Sequence, residues 1–108
     1  MSKPEDLLQA KIVKAVMREY PGSWVFHPVG NPYQRSGVPD LLMCVLGLLI
    51  GAEVKCPRPG ESYQATQDRA TPGQRNQIDL INAAGGTAGV VTSVEETLEL
   101  VRKALANR

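Results

Sequence analysis

Three charged residues lie at the two ends of the most apolar part of the chain. Asp40 precedes the uncharged stretch 41–52, and Glu53 and Lys55 follow it. If this stretch folds back at residues 46–47, position 40 faces position 53 across two antiparallel strands, and alternation places Lys55 on the same face. Two opposed carboxylates repel each other and raise each other's pKa unless a cation lies between them.

These residue types suit the hydrolysis of phosphodiesters. Carboxylate oxygens without a nearby His or Cys favour Mg²⁺ or Mn²⁺, and Lys55 could reach the attacking water or the scissile phosphate. The alternative is that Asp40 caps a turn, while Glu53 and Lys55 are ordinary charges at a strand end. Short motifs match by chance, so spacing alone leaves both interpretations open.

At these residues the sequence resembles the VRR-Nuc family of the PD-(D/E)XK nuclease superfamily. Residues 37–42 (GVPDLL) resemble its GxPDL signature, residues 53–55 (EVK) its E-x-K, and residues 71–74 (TPGQ) its T/S-x-x-Q. Glu5 with Gln9 resembles the E-x-x-x-Q of its first helix, and residues 85–86 resemble the glycine before its last strand. The resemblance extends from Glu5 to about Val101, and the ordered set is far more specific than any one motif.

The resemblance implies a divalent-metal-dependent DNA endonuclease of the small standalone type found in phages and bacteria, with Mg²⁺ or Mn²⁺ as its cofactor. It implies that Asp40 and Glu53 bind the metal, with the Val54 carbonyl and Glu5 as further ligands. It also implies that Lys55 is catalytic and that Gln74 orients Lys55 or contacts a phosphate.

Two of these residues have equally simple structural explanations. Glu5 stands three residues after Ser2, as the partner in a helical capping box does. Gln74 suits the first turn of a helix that starts at Thr71 and Pro72. Both alternatives remain open at this point.

Residues in the loops flanking the site are candidates for DNA contacts. Arginines could hold phosphates locally, although the formal net charge of the whole chain is only +1. The candidates are Asn31, Tyr33, Arg35, Arg58 and Arg75, with Arg69 as a further arginine at the mouth of the site. We expect His27, at the start of the first loop, to make a structural hydrogen bond.

Periodicity and capping residues predict three helices. The first is expected from a cap at Ser2 to about Glu19, the second from Thr71 to Gly85, and the last after Ser93. The inward positions of the first helix are Leu8, Ile12, Val16 and Tyr20, those of the second are Ile78 and Ile81, and those of the last are Val94, Leu98, Val101 and Leu105.

The remaining apolar segments predict strands at 24–26, at 87–92 and twice within 38–56, where both faces are apolar and expected to be covered. Residues 57–70 lack apolar periodicity, which predicts a mobile surface loop. The predicted fold class is α/β: a mixed β-sheet flanked by helices, with an αβββαβ restriction-endonuclease-like core and a C-terminal helix.

Length and composition indicate one soluble domain over residues 1–108. The chain is 43% hydrophobic and 21% charged, and its longest uncharged stretch is too short to span a membrane. No signal peptide is recognisable, which predicts a cytoplasmic protein of a bacterium or a phage-infected cell. Cys44, Cys56 and the single His27 are too few for a zinc site, and Cys44 is expected in the core.

A domain of this size can neutralise few phosphates by itself, so a homodimer on branched DNA is expected. The substrates would be Holliday junctions or flaps that arise in repair, recombination or phage replication. The hairpin tip, with Leu48, Leu49 and Ile50, is the expected dimer interface. The alternative function is a non-catalytic or partner-dependent nucleic-acid-binding module on the same fold.

Overall fold

A computed structural model describes residues 3–29 and 37–108 of the chain. No helix within these ranges is both long and apolar enough to cross a bilayer. The elements in chain order are α1 (Pro4–Glu19), β1 (Trp24–Phe26), β2 (Leu41–Val45), β3 (Leu48–Val54), α2 (Tyr63–Asp68), α3 (Pro72–Ala83), β4 (Thr87–Val91) and α4 (Val94–Ala106).

The four strands form one mixed sheet in the order β1-β2-β3-β4. Strand β2 pairs antiparallel with both β1 and β3, whereas β4 is parallel to β3. The β2–β3 register pairs Leu41 with Ala52, and both Leu46 and Gly47 have positive φ, as a type I′ turn requires. The predicted α/β fold class and the turn at residues 46–47 are therefore confirmed.

One face of the sheet, here called the core face, is covered by α1 and α4. Its side chains alternate along the strands with those of the opposite face. The buried cluster on the core face contains Ile12, Val16, Leu41, Met43, Val45, Ile50, Ala52, Val54, Val91, Leu98, Val101 and Ala104.

The opposite face, here called the second face, is only partly covered, because α3 packs on β3 and β4. Pro39 and Ile81 meet over Gly51, where an added Cβ would lie 3.2 Å and 3.3 Å from their side chains. Ile78 and Ile81, expected to be buried, are half-buried there.

The expectation that both faces of the hairpin are covered is wrong for the second face. Cys44 is exposed rather than in the core, and both cysteines are free. Leu46, in the turn, and Leu49, in β3, are 64% and 46% exposed. Ile50, expected at an exposed tip, is fully buried on the core face.

Residues 57–70 are not the irregular loop that the sequence predicts, since they contain α2. Ser62 caps this helix by accepting a hydrogen bond from the Ala65 amide at 3.1 Å. Gln67 donates to the Val90 carbonyl at 3.0 Å, and Tyr63 donates to Glu96. Polar side chains thus hold α2 against β4 and α4. The helix therefore has no apolar periodicity by which the sequence could predict it.

The caps of the other helices follow the sequence closely, except at α1. Thr71 and Ser93 cap α3 and α4 as predicted. Helix α1 ends at Glu19 as predicted, but its N-cap is Lys3 rather than Ser2, and Asp6 rather than Glu5 accepts from the Lys3 amide, at 3.4 Å.

Candidate metal-dependent hydrolytic site

The two ends of the hairpin bring Asp40, Glu53 and Lys55 together at one end of the second face. The Val54 amide donates to Oδ2 of Asp40 at 2.9 Å, which ties the residue before β2 to the end of β3. The ammonium of Lys55 lies 3.5 Å from Oε2 of Glu53. This is the juxtaposition that the hairpin register predicts.

The Glu53 carboxyl group is in an unfavourable position for a charge. Its residue is 2% exposed, and burial, followed by the hydrogen bond and repulsion from Asp40, raises its pKa to about 8, although Lys55 opposes the shift. Within residues 3–29 and 37–108, its Oε1 atom has no hydrogen-bond partner. A buried acceptor without a donor is costly, and a bound cation would satisfy it.

The Val54 carbonyl adds a third oxygen to this end of the sheet. The N–H and C=O groups of one strand residue face the same edge, so the carbonyl faces the edge on which its amide meets Asp40. Strand β2 begins only at Leu41, which pairs with Ala52, so β3 extends beyond its neighbour here.

This donor set fits Mg²⁺ or Mn²⁺, because it consists of carboxylate and carbonyl oxygens. Within the described ranges, no group of three or more His, Cys, Asp or Glu side chains gathers as a metal cage. Asp40 and Glu53 would therefore supply part of a ligand shell that water and a substrate phosphate complete, as is usual for Mg²⁺.

The segment that leads to Asp40 is held against the start of α3. Gly37 has a φ of +85°, and a Cβ at this position would lie 2.4 Å from the Gly73 carbonyl oxygen. Only glycine allows this approach of two backbones. This packing holds the buried Pro39 in place. It thereby positions the backbone of the next residue, Asp40.

Glu5 does not join the carboxylate pair, contrary to its expected role as a metal ligand. Its Oε1 atom pairs with Arg69 Nη1 at 3.3 Å, at the start of α1. Among the described residues, Glu5, Asp40 and Glu53 do not form a group of three carboxylates that could hold a metal ion.

Gln74 takes the helical first-turn position that was the alternative to its catalytic role. Its Oε1 atom accepts from the Thr71 amide at 2.9 Å, and its own amide donates to Thr71 Oγ1 at 3.1 Å. This capping box explains Gln74 fully, and its hydrogen bonds within the described ranges do not include Lys55.

The expected DNA-contacting residues have different positions. Asn31, Tyr33 and Arg35 lie outside the described residues. Arg58 is exposed beside a cavity of about 290 Å³ between the start of α1 and the segment after β3. Arg75 donates to the Gln67 carbonyl at 2.9 Å, which ties it to α2. His27 is exposed and, within the described ranges, its side chain has no hydrogen bond.

Arg69 is the residue whose role sequence reasoning missed. It donates to Glu61 at 2.9 and 3.2 Å, to Glu5, and to the carbonyl of Cys56, the residue that follows Lys55. Hydrogen bonds from the Arg58 amide, Thr66 and Arg69 lower the pKa of Glu61 to about 2. No local pattern marks this pairing, since its partners are separated by 8, 13 and 64 residues.

No family model matches the sequence, and no curated protein matches it. Solved structures similar to the chain include one described as a VRR_NUC domain protein, with a TM-score of 0.67 and 18% identity, covering 98% of this chain and 91% of that one. Another, described as a VRR_NUC domain, has a TM-score of 0.58 and 22% identity, covering 86% of this chain and 92% of its own. The chain has the VRR-Nuc domain fold, as its motifs predict.

Proposed function

We propose that the protein is a divalent-metal-dependent DNA endonuclease with Asp40, Glu53 and Lys55 in its active site. The observation that carries this proposal is the buried Glu53 carboxyl group, which has an unpartnered oxygen beside a second carboxylate and a lysine 3.5 Å away. A buried carboxylate oxygen without a partner destabilises a fold, and a bound cation would supply the missing partner.

Each residue has a distinct role in this proposal. Mg²⁺ or Mn²⁺, when bound, polarises a phosphoryl oxygen and lowers the pKa of a water molecule. Asp40 and Glu53 hold the ion, with the Val54 carbonyl as a further oxygen donor. The Lys55 ammonium offsets the negative charge that develops on the phosphate in the transition state. Arg69 positions Lys55 by holding the next carbonyl along the chain.

The proposed substrate is branched DNA, a Holliday junction or a flap, bound by a homodimer in the cytoplasm during repair, recombination or phage replication. Two copies related by a twofold axis double the phosphate contacts of a chain whose net charge is +1. The exposed tip residues Leu46 and Leu49 support an interface there. Leu49 lines a cleft of about 430 Å³ between the hairpin tip and the end of α3, where Leu80 is also exposed.

A panel of single-stranded, duplex, flap and four-way DNA substrates, each with Mg²⁺, Mn²⁺ or chelator, tests this proposal. We expect metal-dependent cleavage, with paired nicks on the four-way substrate and faster cleavage of branched than of linear DNA. Sedimentation should give twice the monomer mass of 11.7 kDa. Binding without cleavage of any substrate would instead support the non-catalytic or partner-dependent nucleic-acid-binding module.

A further inference from the structure

Two exposed aromatic rings stack on each other on the edge strand β1. Trp24 and Phe26, here called the aromatic pair, are 57% and 45% exposed. Their ring centroids are 5.8 Å apart, and their planes differ by 12°. Val25, between them, packs against the core, so alternation places both rings on the second face.

The aromatic pair lies on the same face as the candidate catalytic residues. Phe26 pairs with Leu42, two residues from Asp40, and Trp24 pairs with Cys44. Two residues along a strand and one strand across amount to roughly 8 Å between the backbones of Phe26 and Asp40. This distance corresponds to about two or three nucleotides at a rise of ~3.4 Å.

The exposed area of the pair suits nucleobases better than a second protein copy. At these exposures the two rings offer on the order of 200 Å². A stable protein interface needs roughly 800 Å² from each partner. One or two bases, by contrast, need only flat ring faces on which to stack, and stacking of this kind tolerates any base.

The need for a free ring face favours unpaired bases over a duplex. A base inside a duplex is stacked on its neighbours on both faces, whereas an unpaired base can offer one face to an exposed aromatic ring.

We infer that the aromatic pair stacks on unpaired nucleobases beside the scissile phosphodiester and thereby favours flaps among the proposed substrates, because a flap carries unpaired nucleotides at the cleavage point. The inference rests on the proposed nuclease function. It adds the two residues that distinguish unpaired from paired strands.

Trp24 is the sole tryptophan of the chain, so its fluorescence reports directly on the pair. The full chain is titrated in chelator, where no cleavage is expected, with a short oligothymidine and separately with a blunt duplex of the same length. We expect the oligothymidine to quench the fluorescence and the duplex to do so much less.

Binding of labelled oligothymidine by variants provides the matched comparison. Trp24→Leu and Phe26→Leu should each weaken binding about tenfold, whereas Trp24→Phe, which keeps a ring, should stay close to wild type. Leu7→Ala removes an exposed apolar side chain from α1 and should have no effect. The exposed rings can be replaced without disturbing the core, which circular dichroism and thermal melting would verify.

Unchanged affinity of both leucine variants would overturn the inference. So would a wild-type dimer in sedimentation that becomes monomeric in Trp24→Leu, since the rings would then cover an interface between copies. If the protein cleaves branched DNA and the ring variants do not change its affinity for oligothymidine, the inference about the aromatic pair is refuted and the nuclease proposal stands. Quenching without cleavage of any substrate refutes the nuclease proposal and supports stacking.

Discussion

The backbone amide of Val54 donates to Oδ2 of Asp40 across 2.9 Å, although the two residues are 14 positions apart. Burial raises the pKa of Glu53, and the same aspartate raises it further by hydrogen bonding and repulsion. The Asp40 carboxylate thus bridges the open end of the hairpin and also lies next to the Glu53 carboxyl group. Asp40→Asn keeps an oxygen acceptor for the Val54 amide while removing the charge, so it separates the structural role from the electrostatic one.

Metal binding should distinguish the residues at the site. Calorimetric titration with Mn²⁺ should show that Glu53→Gln weakens binding by at least the roughly 10–100-fold that loss of a supporting group costs. Lys55→Ala should bind Mn²⁺ as well as the wild type does or better, because it removes a competing cation. Equal loss of affinity in both variants would contradict the assigned roles.

The stability of the metal-free protein should fall as pH rises from about 4.5 to about 8. The pKa of Glu53 is raised from 4.5 to about 8 in the fold, so its contribution to stability is fully present below pH 4.5 and is lost as pH rises toward 8. Thermal melting in chelator should show this decline, and Glu53→Gln should reduce it and melt higher at pH 8. Each kcal/mol corresponds to roughly 4–8 °C in a domain of this size. A Glu53→Gln variant that melts lower than wild type at pH 8 would refute this.

Gly37→Ala should destabilise the protein more than Gly22→Ala. Both glycines have positive φ, which costs an alanine about 1–2 kcal/mol. A Cβ at Gly37 would also meet the Gly73 backbone, whereas a Cβ at Gly22 has nothing within 4 Å. The clash should add about 1–3 kcal/mol, measurable by urea denaturation. Equal losses would mean that α3 does not press on the segment before Asp40.

Residues 57–70 should resist trypsin without DNA. Arg69 holds Glu61, Glu5 and the Cys56 carbonyl with several donors of one planar guanidinium, a geometry that lysine does not reproduce. Arg69→Lys should therefore allow cleavage within this segment, while Arg18→Lys, on exposed α1, should not. Rapid cleavage after Arg69 in the wild type would instead support the prediction that residues 57–70 form a mobile loop.

Much of the fold is predictable from sequence because local signals agree there. The cap at Thr71, the glycines at 85–86 and the alternation from 41 to 54 are short-range patterns, and each predicts its element. The pairing of Asp40 with Glu53 follows from one turn at residues 46–47. Patterns of this kind depend only on neighbouring residues.

The missed features depend on contacts between distant segments. Helix α2 is stabilised by polar contacts of Tyr63 and Gln67 with β4 and α4, so it has no apolar stripe to detect. Glu5 accepts a hydrogen bond from Arg69, which is 64 residues away in the sequence. The exposure of Cys44 depends on how far α3 extends over the sheet. The sequence of β2 or of α3 alone does not specify this.

Cleavage of a labelled four-way DNA by wild type and by Asp40→Asn at equal concentration, in Mg²⁺ and in chelator, tests the central claim most directly. We predict cleavage by the wild type in Mg²⁺, none in chelator, and a rate at least about 100-fold lower for Asp40→Asn. Melting of the variant at or above the wild-type temperature would show that its fold is intact. Cleavage by Asp40→Asn within tenfold of the wild type, or undiminished cleavage in chelator, would contradict the account.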